Sequence, residues 1–186
     1  MFIVFEGIDG CGKSTQARML ADWLESRGIP VFLTAEPTKT KLGGYIREIL
    51  AGKEAIDPAA LALLFTADRY EHIATEILPA LADGKIVICE RYYYSTIAYQ
   101  VAQGVDRTWI FEMNKYATNP NLVIFIDVKP KLAVSRKAGE EIFEERAFLE
   151  KVYSEYVKFA DMQRVDGSKD AQAVFEKVKG IVSRII

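Results

Sequence analysis

The chain is poor in several things at once, and each scarcity excludes something. A single histidine, His72, rules out any multi-histidine metal centre. Two cysteines, Cys11 and Cys89, cannot make a disulfide framework or a CxxC site. There is no Pro/Gly/Ser tract, low-complexity stretch or fixed-period repeat, so one domain over residues 1–186 is expected. No apolar run reaches the roughly 20 residues of a membrane helix, and the N-terminus lacks the basic-then-apolar layout of a signal peptide. Neither sign of charge dominates. The 24 basic and 26 acidic side chains leave a formal charge of -2, without the basic excess of a general nucleic-acid binder. These absences lead to an expectation of a cytoplasmic protein of a reducing compartment, with neither membrane nor nucleic acid as partner.

What is present is a hydrophobic half of the chain arranged in alternating periods. Met1 to Glu6, Val31 to Leu33, Ile86 to Cys89 and Leu122 to Asp127 read as buried strands, with a weak fifth around Met162 to Val165. Helical spacing runs from Lys13 to about Arg27, Leu42 to Leu50, Pro58 to Leu81, Ser95 to Gln103, Thr108 to Tyr116, Pro130 to Lys137, Ala147 to Ala160 and Ala171 to Ile186. Asp57 and Pro58 read as the N-cap and first position of the third helix. The alternation predicts an α/β fold, a five-stranded parallel sheet with helices on both faces. Ligands of such sheets sit beyond the carboxyl ends of the strands. Those ends read Gly7-Ile8-Asp9-Gly10, Glu36-Pro37, Glu90-Arg91 and Asp127.

Gly7 to Ser14 fits G-x-x-x-x-G-K-[ST] in full, after a strand and opening a helix. Gly7, Gly10 and Gly12 let backbone N–H groups turn inward around a phosphate, and the helix points its positive end there. Lys13 reaches β/γ oxygens, Ser14 offers Mg²⁺ a hydroxyl, and Thr15 follows in the first turn. Cys11 reads as a small space-filling residue more readily than as a thiol activated by the helix end. Asp9 is either an ordinary turn residue or the holder of a neutral group such as a sugar hydroxyl, because a carboxylate facing a triphosphate is repelled.

Phe65 and Arg69 lie four apart on one helix face. They are either core and surface charge, or a base pocket in which the ring stacks and the guanidinium hydrogen-bonds a carbonyl. Glu90 can hold the water of a metal ion, and Arg91 can bridge the acceptor phosphate and the transferring group. His72 reads as structural. A guanine-binding N-K-x-D is absent: Asn114-Lys115 is followed by Tyr116-Ala117 inside a predicted helix.

Taken in order, FEGIDGCGKST (Phe5 to Thr15), Glu36-Pro37, FTADRYEH (Phe65 to His72) and ERYYYSTIAYQ (Glu90 to Gln100) resemble thymidylate kinase, of the nucleoside monophosphate kinase superfamily. The resemblance runs nearly end to end. It implies the three-layer P-loop kinase fold with a short lid at about residues 136–146, ATP-dependent phosphorylation of dTMP to dTDP for dTTP synthesis, Mg²⁺, and a homodimer. It also implies roles. Phe65 stacks on thymine, Arg69 bonds its O4, and Thr96 and Gln100 lie at its Watson–Crick edge. Tyr99 lies under the deoxyribose and Asp9 takes the 3′-hydroxyl. Arg47 and Arg91 hold the acceptor phosphate beside Glu36-Pro37. Asp166-Gly167-Ser168 border the adenine.

Two departures from the family pattern stand out. Glu90 replaces the usual Asp. The lid is acidic, with Glu144 at a family position and Arg136, Lys137 and Arg146 as its cations. Some members carry an arginine where this chain has Gly10, so the lid is expected to supply that charge. Arg136 is the first candidate and Lys137 the second, although Arg136 also suits stacking on adenine. Competing readings are another small-molecule kinase, or a degenerate P-loop protein that regulates a partner; the intact Lys13, Ser14, Arg69 and Arg91 weigh against the latter.

Overall fold

A computed structural model describes the backbone of residues 1–136 and 142–186, and the side chains of all of these except 142–145. Five strands, β1 (Phe2–Glu6), β2 (Val31–Ala35), β3 (Ile86–Glu90), β4 (Leu122–Asp127) and β5 (Gln163–Asp166), form one sheet. Every pairing is parallel, in the order β2-β3-β1-β4-β5. The central strands are runs of Val, Ile, Leu and Phe, because both their faces are covered. At the edge, β5 (QRVD) buries a single residue, Val165, which is why its apolar pattern is faint.

The helices are α1 (Lys13–Glu25), α2 (Lys41–Leu50), α3 (Pro58–His72), α4 (Leu78–Ala82), α5 (Tyr93–Ala102), α6 (Arg107–Met113), α7 (Pro130–Ser135), α8 (Ile142–Tyr156) and α9 (Ala171–Val182). They cover both faces. α1 and α9 pack together, while α5 lies between α3 and α8. Among the described residues, no helix is long and apolar enough to cross a membrane.

Three boundaries differ from expectation for physical reasons. The helix predicted over Pro58 to Leu81 widens into a π turn at Ile73–Ile77. Pro79 has no N–H to give Thr75, and its ring would strike that carbonyl; one wider turn accommodates both. The helix expected over Ala147 to Ala160 starts earlier, at Ile142, and ends at Tyr156. The chain then turns, and Phe159 seats edge-on against Tyr94, with ring centroids 4.9 Å apart. The helix expected from Ser95 starts at Tyr93, because a side chain in β1 caps it.

That side chain is Glu6, which is fully buried. Its Oε1 accepts from Tyr92 N at 2.8 Å and Ser95 N at 3.2 Å. Its Oε2 accepts from the Ser95 hydroxyl at 2.6 Å and the Tyr156 hydroxyl at 2.9 Å. A carboxyl group at a helix N-terminus satisfies donors that have no partner within the helix. Glu6 thereby ties β1, the start of α5 and the end of α8 into one unit just behind the carboxyl ends of the strands.

Burial is the largest influence on Glu6 and lifts its pKa above the ordinary 4.5, against the Ser95 hydroxyl, the Arg91 charge and the other donors. The folded protein then holds this proton more tightly than the unfolded chain does. The associated stability is complete below the unfolded pKa and is lost as pH rises through the lifted value. Glu6→Gln cannot ionise and escapes that loss. We predict that the Tm of the unaltered protein, minus that of Glu6→Gln, falls as pH is raised from 4.5 towards neutrality. A difference that widens in favour of Glu6 would show that its four donors outweigh its burial.

Candidate active site

The carboxyl ends of the strands gather the charged residues on one rim. After β1, Gly7, Gly10 and Gly12 adopt φ of 144°, 79° and 98°, a region closed to most side chains. Sterics demand glycine at two of them independently. A Cβ on Gly7 would lie 2.7 Å from Cys11 Sγ and 2.9 Å from the Ile126 carbonyl, and one on Gly10 would lie 2.5 Å from the Ala133 carbonyl of α7. An arginine therefore does not fit at position 10 in this loop. Lys13 is 4% exposed and donates to the Ile8 carbonyl at 3.1 Å, so its ammonium curls over the loop. Burial, and then the Arg91 charge, hold its pKa below the ordinary value. Burial lifts the Cys11 thiol, more than Lys13 lowers it, which agrees with a space-filling role.

Ser14 and Thr15 are exposed in the first turn of α1. The Ser14 hydroxyl donates to Glu90 Oε1 at 2.8 Å. The longer side chain of Glu90 thus reaches across from β3 to the loop directly. These two hard oxygen donors suit a magnesium ion or its water shell. A second cluster, Glu36, His72 and Cys89, has its donor atoms within 4.8 Å of one another. It is a poor metal site, because Glu36 faces Arg69 and His72, and burial lifts the Cys89 thiol well above its ordinary pKa.

Arg91, just past β3, is held at φ 67°, a positive value unusual for a non-glycine residue. Its backbone N–H donates to the Phe5 carbonyl at 2.9 Å. Its guanidinium donates to Asp9 Oδ1 and to the Ser95 hydroxyl, and lies 5.2 Å over the Tyr99 ring. The Tyr99 hydroxyl accepts from Asp9 N at 3.1 Å. The phosphate loop, the end of β3 and α5 therefore meet at one ion pair.

A cavity opens beside it, lined by Asp9, Glu36, Pro37, Leu50, Phe65, Arg69, Arg91, Tyr92, Ser95, Thr96, Tyr99 and Gln100. Arg69, expected at the surface in one reading, is 1% exposed. Its Nη2 lies 2.7 Å from Glu36 Oε2 and donates to Thr96 Oγ1 at 2.9 Å, and its Nη1 donates to Asn114 Oδ1 at 2.7 Å. Arg69 Nε and Gln100 Oε1 are buried and have no hydrogen-bond partner among the described residues. Glu36 also faces His72 Nδ1 at 3.2 Å, and His72 is fully buried with Thr34 at 2.8 Å from its other nitrogen. The Glu36-Pro37 peptide bond is cis. Arg47, on α2, donates to the carbonyls of Pro37 and Thr38.

Beyond β4 and β5 lies a separate hollow lined by Asp127, Lys129, Lys131, Leu132, Ser135, Arg164, Asp166 and Ser168. Gly167 is needed there because a Cβ would come within 2.6 Å of Ile126 and Val128 methyl groups. Arg136 donates to the Gly167 carbonyl at 2.9 Å. This places it at the Asp166-Ser168 side. Arg146 bonds Glu150, one turn along α8, at 3.0 Å. Lys137 lies outside the described residues, and so does the side chain of Glu144.

A family model described as thymidylate kinase matches residues 5–178. The chain belongs to the thymidylate kinase family. It is 46% identical to a probable thymidylate kinase of Pyrococcus horikoshii, an alignment covering 87% of this chain and 83% of the relative. It is 41% identical to a probable thymidylate kinase of Thermococcus kodakarensis over 100% of this chain and 98% of that one. It is 38% identical to a thymidylate kinase of Trichormus variabilis, over 98% and 95% respectively.

Most of the expected residues fall in three groups: the loop with Glu90, the cavity, and the Asp166-Ser168 hollow with Arg136; Arg47, bonded to the Pro37 and Thr38 carbonyls, and Arg146, paired with Glu150, line neither the cavity nor the hollow. Sequence reasoning missed Leu50, Tyr92 and Ser95 as cavity walls. Ser95 carried a usable signal, since it lies one helical turn before Tyr99 in a segment already singled out. It also missed Asn114, passed over as a failed guanine motif. Removing Glu36 should be costly, because it strands the buried Arg69 charge. We predict that Glu36→Ala loses about 3–5 kcal/mol of stability in urea unfolding, and that Glu36→Gln, which keeps an acceptor, loses less. A loss below about 1 kcal/mol would show that Thr96 and Asn114 suffice for Arg69.

Proposed function

We propose that this chain transfers the γ-phosphoryl group of ATP to the phosphate of dTMP, giving dTDP and ADP on the way to dTTP. One observation carries the reading. Asp9 belongs to the phosphate loop and also lines the cavity walled by Phe65, Arg69 and Gln100. A donor phosphate on the loop and a nucleotide in the cavity are therefore neighbours.

The chemistry follows from positions. Phosphoryl transfer asks for alignment and charge neutralisation more than for a base. The glycine-turned loop and the N-terminus of α1, with Gly7, Gly10, Cys11, Gly12 and Thr15, cradle the donor phosphates, and Lys13 follows the charge on the moving group. Mg²⁺, when bound near Ser14 and Glu90, neutralises charge on the donor phosphates. Arg91 and Arg47 hold the acceptor phosphate. Asp9, aligned through Tyr99, takes the 3′-hydroxyl, and the Tyr99 ring lies where a 2′-hydroxyl would go. Thymine offers O4 as acceptor and N3–H as donor. Arg69 Nε and Gln100 Oε1, without partners among the described residues, supply the complementary pair, with Thr96 at the same edge and Phe65 stacked on the ring. Asp166, Gly167, Ser168 and Arg136 border the adenine, and Lys137 remains the lid cation proposed for the γ-phosphate. Family resemblance extends the reading to a homodimer. Two free buried cysteines suit a reducing cytoplasm.

Release of ADP, measured with ATP and Mg²⁺ over a panel of monophosphates, tests this. We predict dTMP ahead of dUMP by about 10- to 200-fold, the range open to one methyl contact. UMP should be poorer again. Equal turnover of dTMP and UMP would overturn the pocket assignment, and turnover of no monophosphate would overturn the kinase. Lys13→Ala should lower kcat by about a hundredfold to a thousandfold, the value of one preorganised donor, with the Tm little changed. A variant that keeps half its activity would sink the assignment of the loop.

A further inference from the structure

Asp68 precedes Arg69 on α3 and is just as buried, at 1% exposed, but it turns away from the base cavity towards the loop between β2 and α2. Its Oδ2 accepts from Thr38 N at 2.8 Å. Its Oδ1 accepts from the Thr38 hydroxyl at 2.5 Å and the Thr40 hydroxyl at 3.3 Å. Thr38 is itself 2% exposed. Thr40 is the N-cap of α2, its oxygen accepting from Gly43 N at 3.2 Å. The carbonyls of Pro37 and Thr38, in the same short loop, accept from Arg47. The loop has little play against α2, since a Cβ on Gly43 would come 2.0 Å from the Thr38 carbonyl.

A continuous set of bonds thus runs from α3 through Thr38 to the guanidinium of Arg47, an otherwise exposed side chain. We propose that Asp68 is a positioning residue for the acceptor phosphate: it sets the Thr38 carbonyl, and the carbonyl aims Arg47. The inference rests on the reading of Arg47 as a holder of that phosphate. It assigns the two neighbours on α3 to opposite ends of one substrate, Arg69 to the base and Asp68, at a distance, to the phosphate.

Thymidine, which has the base and sugar but no phosphate, separates this role from a general one in folding. Calorimetry gives the Kd of dTMP and of thymidine for the unaltered protein, Arg47→Ala, Asp68→Ala, Thr38→Val and the Arg47→Ala/Asp68→Ala double variant. Arg47→Ala should weaken dTMP by about tenfold or more, as expected of a charge-assisted contact, and thymidine by less than about twofold. Asp68→Ala should show the same preference for damaging dTMP. The double variant should be no worse than Arg47→Ala by more than about twofold, because both changes remove one interaction. Thr38→Val keeps the shape and the backbone bond but loses the hydroxyl, and it reads the same ratio if Asp68→Ala does not fold. An unchanged ratio in Arg47→Ala would overturn the reading of Arg47, and this inference with it. A changed ratio in Arg47→Ala, with Asp68→Ala or Thr38→Val weakening both ligands alike or neither, would overturn the inference alone.

Discussion

A guanidinium with 1% exposure cannot exist in a protein without a counter-charge and partners for its N–H groups, and Arg69 sets that demand here. Meeting it recruits Glu36 from the end of β2, Thr96 from α5 and Asn114 from the end of α6. Elements far apart in the chain are thereby held around one point, and the cavity beside them has its shape because they are held. The arrangement leaves one nitrogen of that guanidinium, and the amide oxygen of Gln100, without a hydrogen-bond partner among the described residues, and both residues line the cavity.

The opposite end of the cleft follows a different logic. In the proposed reading the backbone of the phosphate loop does the binding, so the constraint falls on conformation and clearance, not on side-chain charge. Positive φ and close approach by Ile126 and Ala133 together explain why glycine occupies positions 7 and 10. The same packing against α7 leaves no space at position 10 for the arginine that some relatives in the family carry. In the proposed reaction, charge over the transferring phosphate would then come from another segment. Arg136, bonded to the Gly167 carbonyl, already serves the hollow on the far side of β4 and β5.

Glu90 shows how a departure in sequence can be absorbed by geometry. One added methylene, relative to the aspartate usual in the family, carries the carboxylate from β3 to the hydroxyl of Ser14. Two oxygen donors come together at the mouth of the loop, and the charge is kept. Glu6, one strand over, caps α5 from beneath, so the segment that carries Arg91, Thr96 and Tyr99 is anchored to the strand that carries the phosphate loop. Rigid support of this kind lets a few side chains hold a ligand without a cost in ordering at each binding event.

Local chemistry made much of this legible in the amino-acid order alone. Strand runs with both faces buried, the glycines and lysine of the phosphate loop, and the aspartate and proline opening α3 are short-range features, so neighbouring residues suffice to reveal them. The wide turn before α4 was not expected from the sequence, although its cause, Pro79, lies within four residues. Other properties are sums over residues distant in sequence. Whether Arg69 is a surface charge or a buried one depends on Glu36, 33 positions before it, and on Asn114, 45 positions after it. Asp68 reads as one more polar residue on a helix until the fold lays the β2–α2 loop against it. The sequence by itself determined the parallel α/β order and the glycine-turned loop after β1, because both rest on local propensity and backbone freedom. The tertiary structure decided which charges are buried, which partners satisfy them and which polar atoms stay unpaired among the described residues, because desolvation and hydrogen bonding depend on everything that surrounds a group.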